Sequence, residues 1–389
     1  MILNKIPVSL YVLLLLGVLI LGMKKAKKGE FHEDFLSLDV TKGLQGFAAV
    51  GIMLHHLVQD ITDFGDIIKG YITLFNYFGV LFTAVFFFCS GYGLYTSLQK
   101  KPDYLHHFFR KRLTSILVPF YTANTIFFLF SLPSLPDNTT VLEYIAYITG
   151  FIMLNSNLWF IVEIAFLYIA FYLIFKYIKN EKAALISMAA FIFVLVGLTL
   201  LNGHDYTSIS GGLWFKGEWW YNTTWTFFLG IMVSRFQKPI TDTIKKHYPI
   251  WLIGSIILHL VMFPVSCLLI DIFGYYCEGE NYPGYLEKLF SMIGQFLYAE
   301  TFVIMLLIIT MKLQFKNRIL SFLGKISIEL YLIHRMYIIL FSDIIGMQSD
   351  FLFFFCVYAC AIVTAVILHF LDGKIISAIK GKSTAPASL

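Results

Sequence analysis

The chain has 389 residues, of which 58% are hydrophobic and only 14% charged, with a formal net charge of +5. Soluble domains carry roughly 45–50% apolar and about 25% charged residues, so this composition excludes a soluble globule. The apolar residues fall in blocks of about 18–24, the length that crosses a hydrocarbon core of roughly 30 Å, and only helices or closed barrels satisfy the backbone there. The blocks lack the polar and apolar alternation of barrel strands, so the fold class expected is an all-α polytopic membrane protein.

Spans are predicted at 6–23, 43–59, 75–98, 112–131, 157–178, 183–201, 219–236, 248–271, 290–312, 320–343 and 349–371, eleven in all. Residues 6–23 resemble the core of a signal peptide. Lys24, Lys25, Lys27 and Lys28 follow them without a small-residue cleavage site, which predicts a retained anchor. The segment 133–156 holds Pro133 and Pro136 ahead of an apolar run from Val141 to Leu154, and is expected to lie at the interface or re-enter rather than cross.

The Lys and Arg residues of loops 24–28, 99–112, 176–182, 235–247, 312–325 and 372–389 fall on one side, whereas the other side holds only Lys5, Lys69, Lys216 and Lys288. Because basic residues resist translocation, the amino terminus is expected outside and the carboxyl terminus in the cytoplasm. The positive charge is thereby read as membrane orientation rather than nucleic-acid binding. Three units are expected: an anchor with a basic loop at 1–30, a transmembrane domain at 31–378 and a cytoplasmic tail at 379–389. The cysteines, Cys89, Cys267, Cys277, Cys356 and Cys360, lie mostly in apolar blocks without C-x-x-C spacing. Neither a metal site nor a disulfide framework is expected from them, and Cys356 with Cys360 reads as helix packing.

Ionisable groups inside lipid cost about 2.5–3.5 kcal/mol on insertion scales, which makes each a functional candidate. They are His55, His56, Glu163, His259, Glu300, Glu329, His334 and Arg335. His56 sits near the outer end of the second span, His334 and Arg335 well outward along the tenth, and Glu163 about one turn in from the outer end of the fifth. Their convergence at similar depth predicts a watered cavity, with Glu163 as the partner of Arg335. The plainer reading is a structural ion pair with two helix-bridging histidines.

The second span reads KGLQGFAAVGIMLHH from Lys42 to His56. At 100° per residue, Gln45 falls about 20° and Lys42 about 40° from His56, whereas His55 is turned about 100° away. One helix face therefore links a cation near the inner surface to an outer imidazole roughly 21 Å distant. A neutral imidazole there is suited to take a proton from a hydroxyl. The inner loop KKPDYLHHFFRKRL supplies Lys100, Lys101, Arg110, Lys111 and Arg112, which suit a phosphate and also satisfy the positive-inside rule.

Six stretches in order, KGLQGFAAVGIMLHHL at 42–57, FFFCSGYGL at 86–94, FFRKRLTSILVPFY at 108–121, LWFIVEIAFLYI at 158–169, TFFLGIMVSR at 226–235 and ISIELYLIHRMYI at 326–338, resemble the acyltransferase-3 family of bacterial integral membrane enzymes. The resemblance runs from about Lys42 to Leu371. It implies a ten-helix core with residues 6–23 as an added anchor, in the stand-alone form without an esterase domain. It also implies a bacterial cytoplasmic membrane location. His56 takes the place of the family's essential histidine, and the donor implied is an acyl thioester, acetyl-CoA most often, entering near Arg110 and Arg112. Two positions depart from the pattern: Gln45 stands where an arginine is frequent, and Ser115 where another follows Arg112.

On this resemblance the chain is expected to be an O-acyltransferase, with acetyl specificity in first place, and to modify a hydroxyl of a surface glycan or lipid-linked sugar. His56 is the expected base. Glu163, His334, Arg335 and Trp159 are expected at the acceptor, with Trp159 placed to stack on a sugar ring. Lys42, Gln45, Arg110 and Arg112 are expected at the donor phosphates. Acyl-CoA serves as co-substrate with no bound cofactor or metal; the other partners are the acceptor and membrane lipid, not nucleic acid. Ser90 and Gly91 read as helix packing rather than as a nucleophile site. The rival readings are a transporter or flippase, a histidine–asparagine acyltransferase architecture drawing on Asn155 or Asn157 in an outer loop, and a purely structural or receptor-like bundle.

Overall fold

The computed structural model describes residues 8–60, 71–202, 214–274, 284–342 and 349–381. Lys5, Lys69, Cys277 and most of the loops 202–218 and 272–288 lie outside the described residues, as does the tail beyond Gly381. The helices are α1 (Ser9–Ile20), α2 (Leu38–Asp60), α3 (Gly79–Lys100), α4 (Thr114–Ser131), α5 (Val141–Ile148), α6 (Trp159–Tyr177) and α7 (Glu181–Asn202). They continue with α8 (Trp225–Arg235), α9 (Gln237–Lys246), α10 (Tyr248–Phe273), α11 (Tyr285–Thr310), α12 (Arg318–Lys325), α13 (Ser327–Phe341) and α14 (Asp350–Lys380). A two-residue antiparallel ribbon, β1 (Lys24–Lys25) on β2 (Leu313–Gln314), pairs Lys24 with Gln314 and pins the connection after α1.

Among the described residues seven helices, α3, α4, α6, α7, α10, α11 and α14, are long and apolar enough to cross a membrane. The remaining predicted spans correspond to α1, α2, α8 and α13. Of these, α1, α8 and α13 have only 12, 11 and 15 residues. The 23-residue α2 is diluted by Asp39, Lys42, His55, His56 and Asp60.

Two predicted spans are interrupted. The block 219–236 is α-helical only from Trp225, after a 3₁₀ turn at Glu218–Trp220. The block 320–343 breaks at Ile326 (φ −96°, ψ 9°) into α12 and α13, where the Ser327 hydroxyl donates to the Gly324 carbonyl. At the carboxyl end α14 runs on to Lys380, past the expected start of the tail at 379.

Within 133–156 the one α-helix is α5, whose eight residues rise about 12 Å, too little to cross. Its first turn is set by a reciprocal cap, Thr140 with Glu143, whose hydrogen bonds hold the Glu143 carboxyl below the usual carboxylate range. Val141, Leu142 and Ile145 are exposed along it, the pattern of a helix lying on a surface.

Two close helix crossings fix the centre of the bundle. Against α12, a Cβ at Gly46 would meet the Leu320 carbonyl and the Gly324 nitrogen, and one at Gly324 would land on the Lys42 carbonyl. Between α3 and α8, a Cβ at Gly91 would land on the Phe227 carbonyl and one at Gly230 on the Phe88 carbonyl. Removing side chains lets backbones approach where packing, rather than water, holds helices together. Hydrogen bonds then cross the same interface: Thr226 Oγ1 donates to the Ala84 carbonyl at 3.2 Å, and Thr96 and Ser234 hydroxyls meet at 2.7 Å.

The other helices surround this centre, α13 packing on α2, α4 and α14, and α11 on α3 and α10. By contrast α10 keeps most of its surface outward, with His259 stacked on Tyr298 at 5.0 Å between ring centroids.

The α3–α8 crossing generates a paired test. Gly91→Ala is expected to lower the thermal unfolding temperature of the detergent-solubilised protein by several degrees, since overpacking a tight contact costs about 1–3 kcal/mol. Gly93→Ala, two residues on with nothing within 4 Å of its Cβ position, should hold or raise it. Equal losses at both positions, read by fluorescence-detected size exclusion after heating, would refute this packing.

Candidate active site

The end of α2 that carries His56 opens on a cavity of about 760 Å³. Its polar wall is built mainly from uncharged amides, Asn76, Asn157, Asn222 and Gln295, with the carboxyl groups of Asp60, Glu218 and Asp271 and one guanidinium, Arg335. Tyr77, Trp159 and Trp219 add aromatic faces. Flat rings among amide donors and acceptors are the surfaces on which a polyhydroxylated ring can stack and hydrogen-bond.

His56 lines this cavity, and behind it lies His334, fully buried and absent from the cavity wall. His56 Nδ1 and His334 Nε2 are 2.7 Å apart, with ring centroids 5.0 Å apart and planes within 4° of parallel. His334 Nδ1 lies 3.3 Å from the Leu330 carbonyl of its own helix. His55, expected to face away, also reaches the cavity wall, but its Nδ1 donates to the Phe75 carbonyl at 2.6 Å, which ties it to the turn before α3.

The expected pairing of Glu163 with Arg335 is not what forms. Arg335 Nη1 donates to Asp60 Oδ2 at 2.8 Å, with both side chains partly exposed. Glu163 is fully buried outside the cavity wall and accepts from the Thr224 hydroxyl. The reason is direction: α6 and α13 run oppositely, so Glu163 comes within electrostatic range of Tyr331, one turn before Arg335 along α13. Asp60, one turn beyond His56 on the same face of α2, reaches the guanidinium instead. Its i+4 spacing from His56 is legible in the sequence; its place at the helix end masks it.

Two asparagines join the site. Asn155, expected in an exposed loop, is buried, and its amide donates to the Leu332 carbonyl of α13 at 3.1 Å. Its side-chain oxygen also accepts from the Asn157 backbone N–H, capping the 3₁₀ turn Ser156–Leu158 that leads into α6. That turn holds Asn157 Nδ2 at 3.3 Å from His56 Nδ1 and 3.5 Å from His334 Nε2. Trp159 lines the cavity with its ring 5.8 Å from that of Trp220.

At the opposite end of α2 the expected donor residues are spread over two positions. Lys42 Nζ donates to the Gly324 carbonyl at 3.4 Å and lies within electrostatic range of Arg112 and Glu329. Arg112 donates to the Tyr104 hydroxyl at 2.7 Å and the Ser97 hydroxyl at 3.2 Å. Arg110 is exposed and donates to the Ile379 carbonyl at the end of α14. Gln45 is half-buried on α2, between Lys42 and the His56 end.

Sequence reasoning missed Lys380, whose ammonium donates to Ser115 Oγ at 3.0 Å and feels the charges of Arg112 and Lys111. It brings a cation to the residue where the family pattern has arginine. Elsewhere, Glu329 takes a 2.9 Å bond from His369, and His259 Nδ1 lies 3.3 Å from Thr301 Oγ1. Among the described residues no group of three or more His, Cys, Asp or Glu side chains is arranged to hold a metal ion.

Residues 36–370 match the model of the acyltransferase-3 family, described as an acyltransferase domain. No curated protein and no solved structure matches the chain. Since that match begins just before α2, ends ten residues short of the last residue of α14 and takes in both imidazoles, the chain belongs to the acyltransferase-3 family.

Proposed function

We propose that this membrane acyltransferase moves an acetyl group from cytoplasmic acetyl-CoA to a hydroxyl of a cell-surface glycan or lipid-linked sugar, in the cytoplasmic membrane of a bacterium. The observation that carries the reading is the exposure of the His56 imidazole to a polar cavity at one end of α2, while cations gather at the other end. Lys42, Arg112 and Lys380 suit the phosphates of a nucleotide donor, with Arg110 at the rim. Trp159 and the amide-rich wall suit a sugar.

In this reading His56 removes the proton of the acceptor hydroxyl as its oxygen bonds to the thioester carbonyl carbon. The tetrahedral intermediate then collapses with cleavage of the carbon–sulfur bond, and His56 returns the proton to the departing thiolate. Arg335, held by Asp60, presents a guanidinium to the cavity that can bind the acceptor or the developing oxyanion. The transporter alternative accounts for a polar cavity but gives no use for a base beside it.

Purified protein supplied with acetyl-CoA and candidate glycans should release free thiol. In His56→Ala that release is expected to fall by about 10²–10⁴-fold, the usual contribution of a positioned base, while His55→Ala should retain most of it. Unchanged release in His56→Ala would falsify the assigned base.

The donor end makes a separate prediction. Arg112→Ala and Lys380→Ala should raise the KM for acetyl-CoA by about tenfold, the worth of one lost charge-assisted hydrogen bond of ~1.5 kcal/mol, with kcat little changed. With acetyl-dephospho-CoA as donor the same substitutions should matter less. Equal effects on the two donors would remove the 3′-phosphate from this cluster.

A further inference from the structure

The proposed base needs one ring nitrogen free toward the cavity, and the hydrogen bonds behind it decide which. The Leu330 carbonyl can only accept, so His334 Nδ1 carries the proton directed at it, 3.3 Å away. In a neutral His334 the Nε2 atom is then an acceptor. That nitrogen faces His56 Nδ1 at 2.7 Å, so His56 Nδ1 must be the donor of the pair. His56 Nε2 is left with its lone pair, on the side of the ring away from His334.

We infer that His334 is a positioning residue that holds His56 in its Nδ1–H tautomer, so that Nε2 is the atom that accepts the acceptor's proton. This rests on the acyltransferase reading above and specifies how its base is prepared. Asn157 Nδ2 lies 3.5 Å from His334 Nε2, to which it can be a second donor, and 3.3 Å from His56 Nδ1, to which it makes no hydrogen bond while that nitrogen carries its proton; Asn155 ties the same turn to the Leu332 carbonyl. Those bonds lock loop and helix together two residues from His334. Once His56 has taken the proton, its Nδ1–H still points at a neutral acceptor, so the imidazolium keeps its partner through the reaction. The arrangement serves the purpose that a buried carboxylate serves behind other catalytic histidines, orientation and tautomer choice, without adding a negative charge.

The titratable and charged groups facing His56 are His55 and Asp60 on α2, His334, Arg335 and Tyr331 on α13, and Tyr77, Glu218 and Asp271 across the cavity. Since Asp60 is engaged by Arg335, a new charge at position 334 is the most direct way to alter the base.

His334→Leu removes the acceptor and is expected to lower kcat by at least about 10²-fold with the KM for acetyl-CoA unchanged, because the donor cluster lies at the other end of α2. His334→Gln retains an oxygen that can accept from Nδ1–H, and should recover at least about a tenth of wild-type kcat. His334→Asp places an anion against the imidazolium, stabilises the charged form, and should move the acid limb of the kcat/KM profile to higher pH by about one unit. A group that served only packing would move neither the pH limb nor the split between kcat and KM. The inference is overturned if His334→Leu keeps kcat within about threefold of wild type while His56→Ala is inactive, or if active His334→Asp leaves the limb in place. Loss of the parent reading looks different: wild-type protein then fails to cleave the thioester, or His56→Ala cleaves it normally. Should His334→Leu fail to fold, the Gln rescue and the Asp pH profile decide the matter.

Discussion

The contact between His56 and His334 is the point on which the other features of this molecule depend. A polar ring in the interior of a membrane protein must find a partner or face water, and this pair does both: one imidazole satisfies the other, which opens to the cavity. The alignment of α2 with α13 that makes the contact also brings Asp60 to Arg335 one turn further along. The turn before α6 is drawn in by the Asn155 bond to α13, so three segments meet around two rings. Without that convergence the amides and carboxyl groups of the cavity would have no reason to share a wall.

Such an alignment needs helices that approach closely, and the glycines provide it at the other end of α2. Gly46 and Gly324 leave the α2 and α12 backbones in contact, and the break at Ile326 then redirects the chain so that α13 runs along α2 toward His56. A continuous helix from 320 to 343 would carry Ser327 and its followers along the α12 axis instead. The interruption that defeats the simple span prediction is thus part of what assembles the site.

Much of this was legible in the sequence. The polytopic helical class followed from apolar block lengths, and the family from six ordered stretches. Placing His56 and Lys42 on one helix face required only the angular period of a helix, because both lie on one element. Partnerships across elements were not legible in the same way. Glu163 and Arg335 lie on helices of opposite direction, and a depth error of one turn was enough to join the wrong carboxylate to the guanidinium. Asn157 and Lys380 carry no periodic signal at all; each acts through a turn or a helix end whose path is set by tertiary packing. His55, turned about 100° from His56 by the helical period, nonetheless lines the same cavity, which spans more of α2 than one face.

The two contacts at the centre join residues 278 and 275 positions apart in the chain. During synthesis, α2 therefore enters the bilayer carrying an imidazole and a carboxylate whose counterparts have not yet been translated. Helices α3 to α12 must all emerge before α13 can meet it. The paired imidazoles therefore depend on α13, and fragments ending before α13 contain Lys42 of α2 and Arg110 and Arg112 of the turn before α4 without the partner of His56.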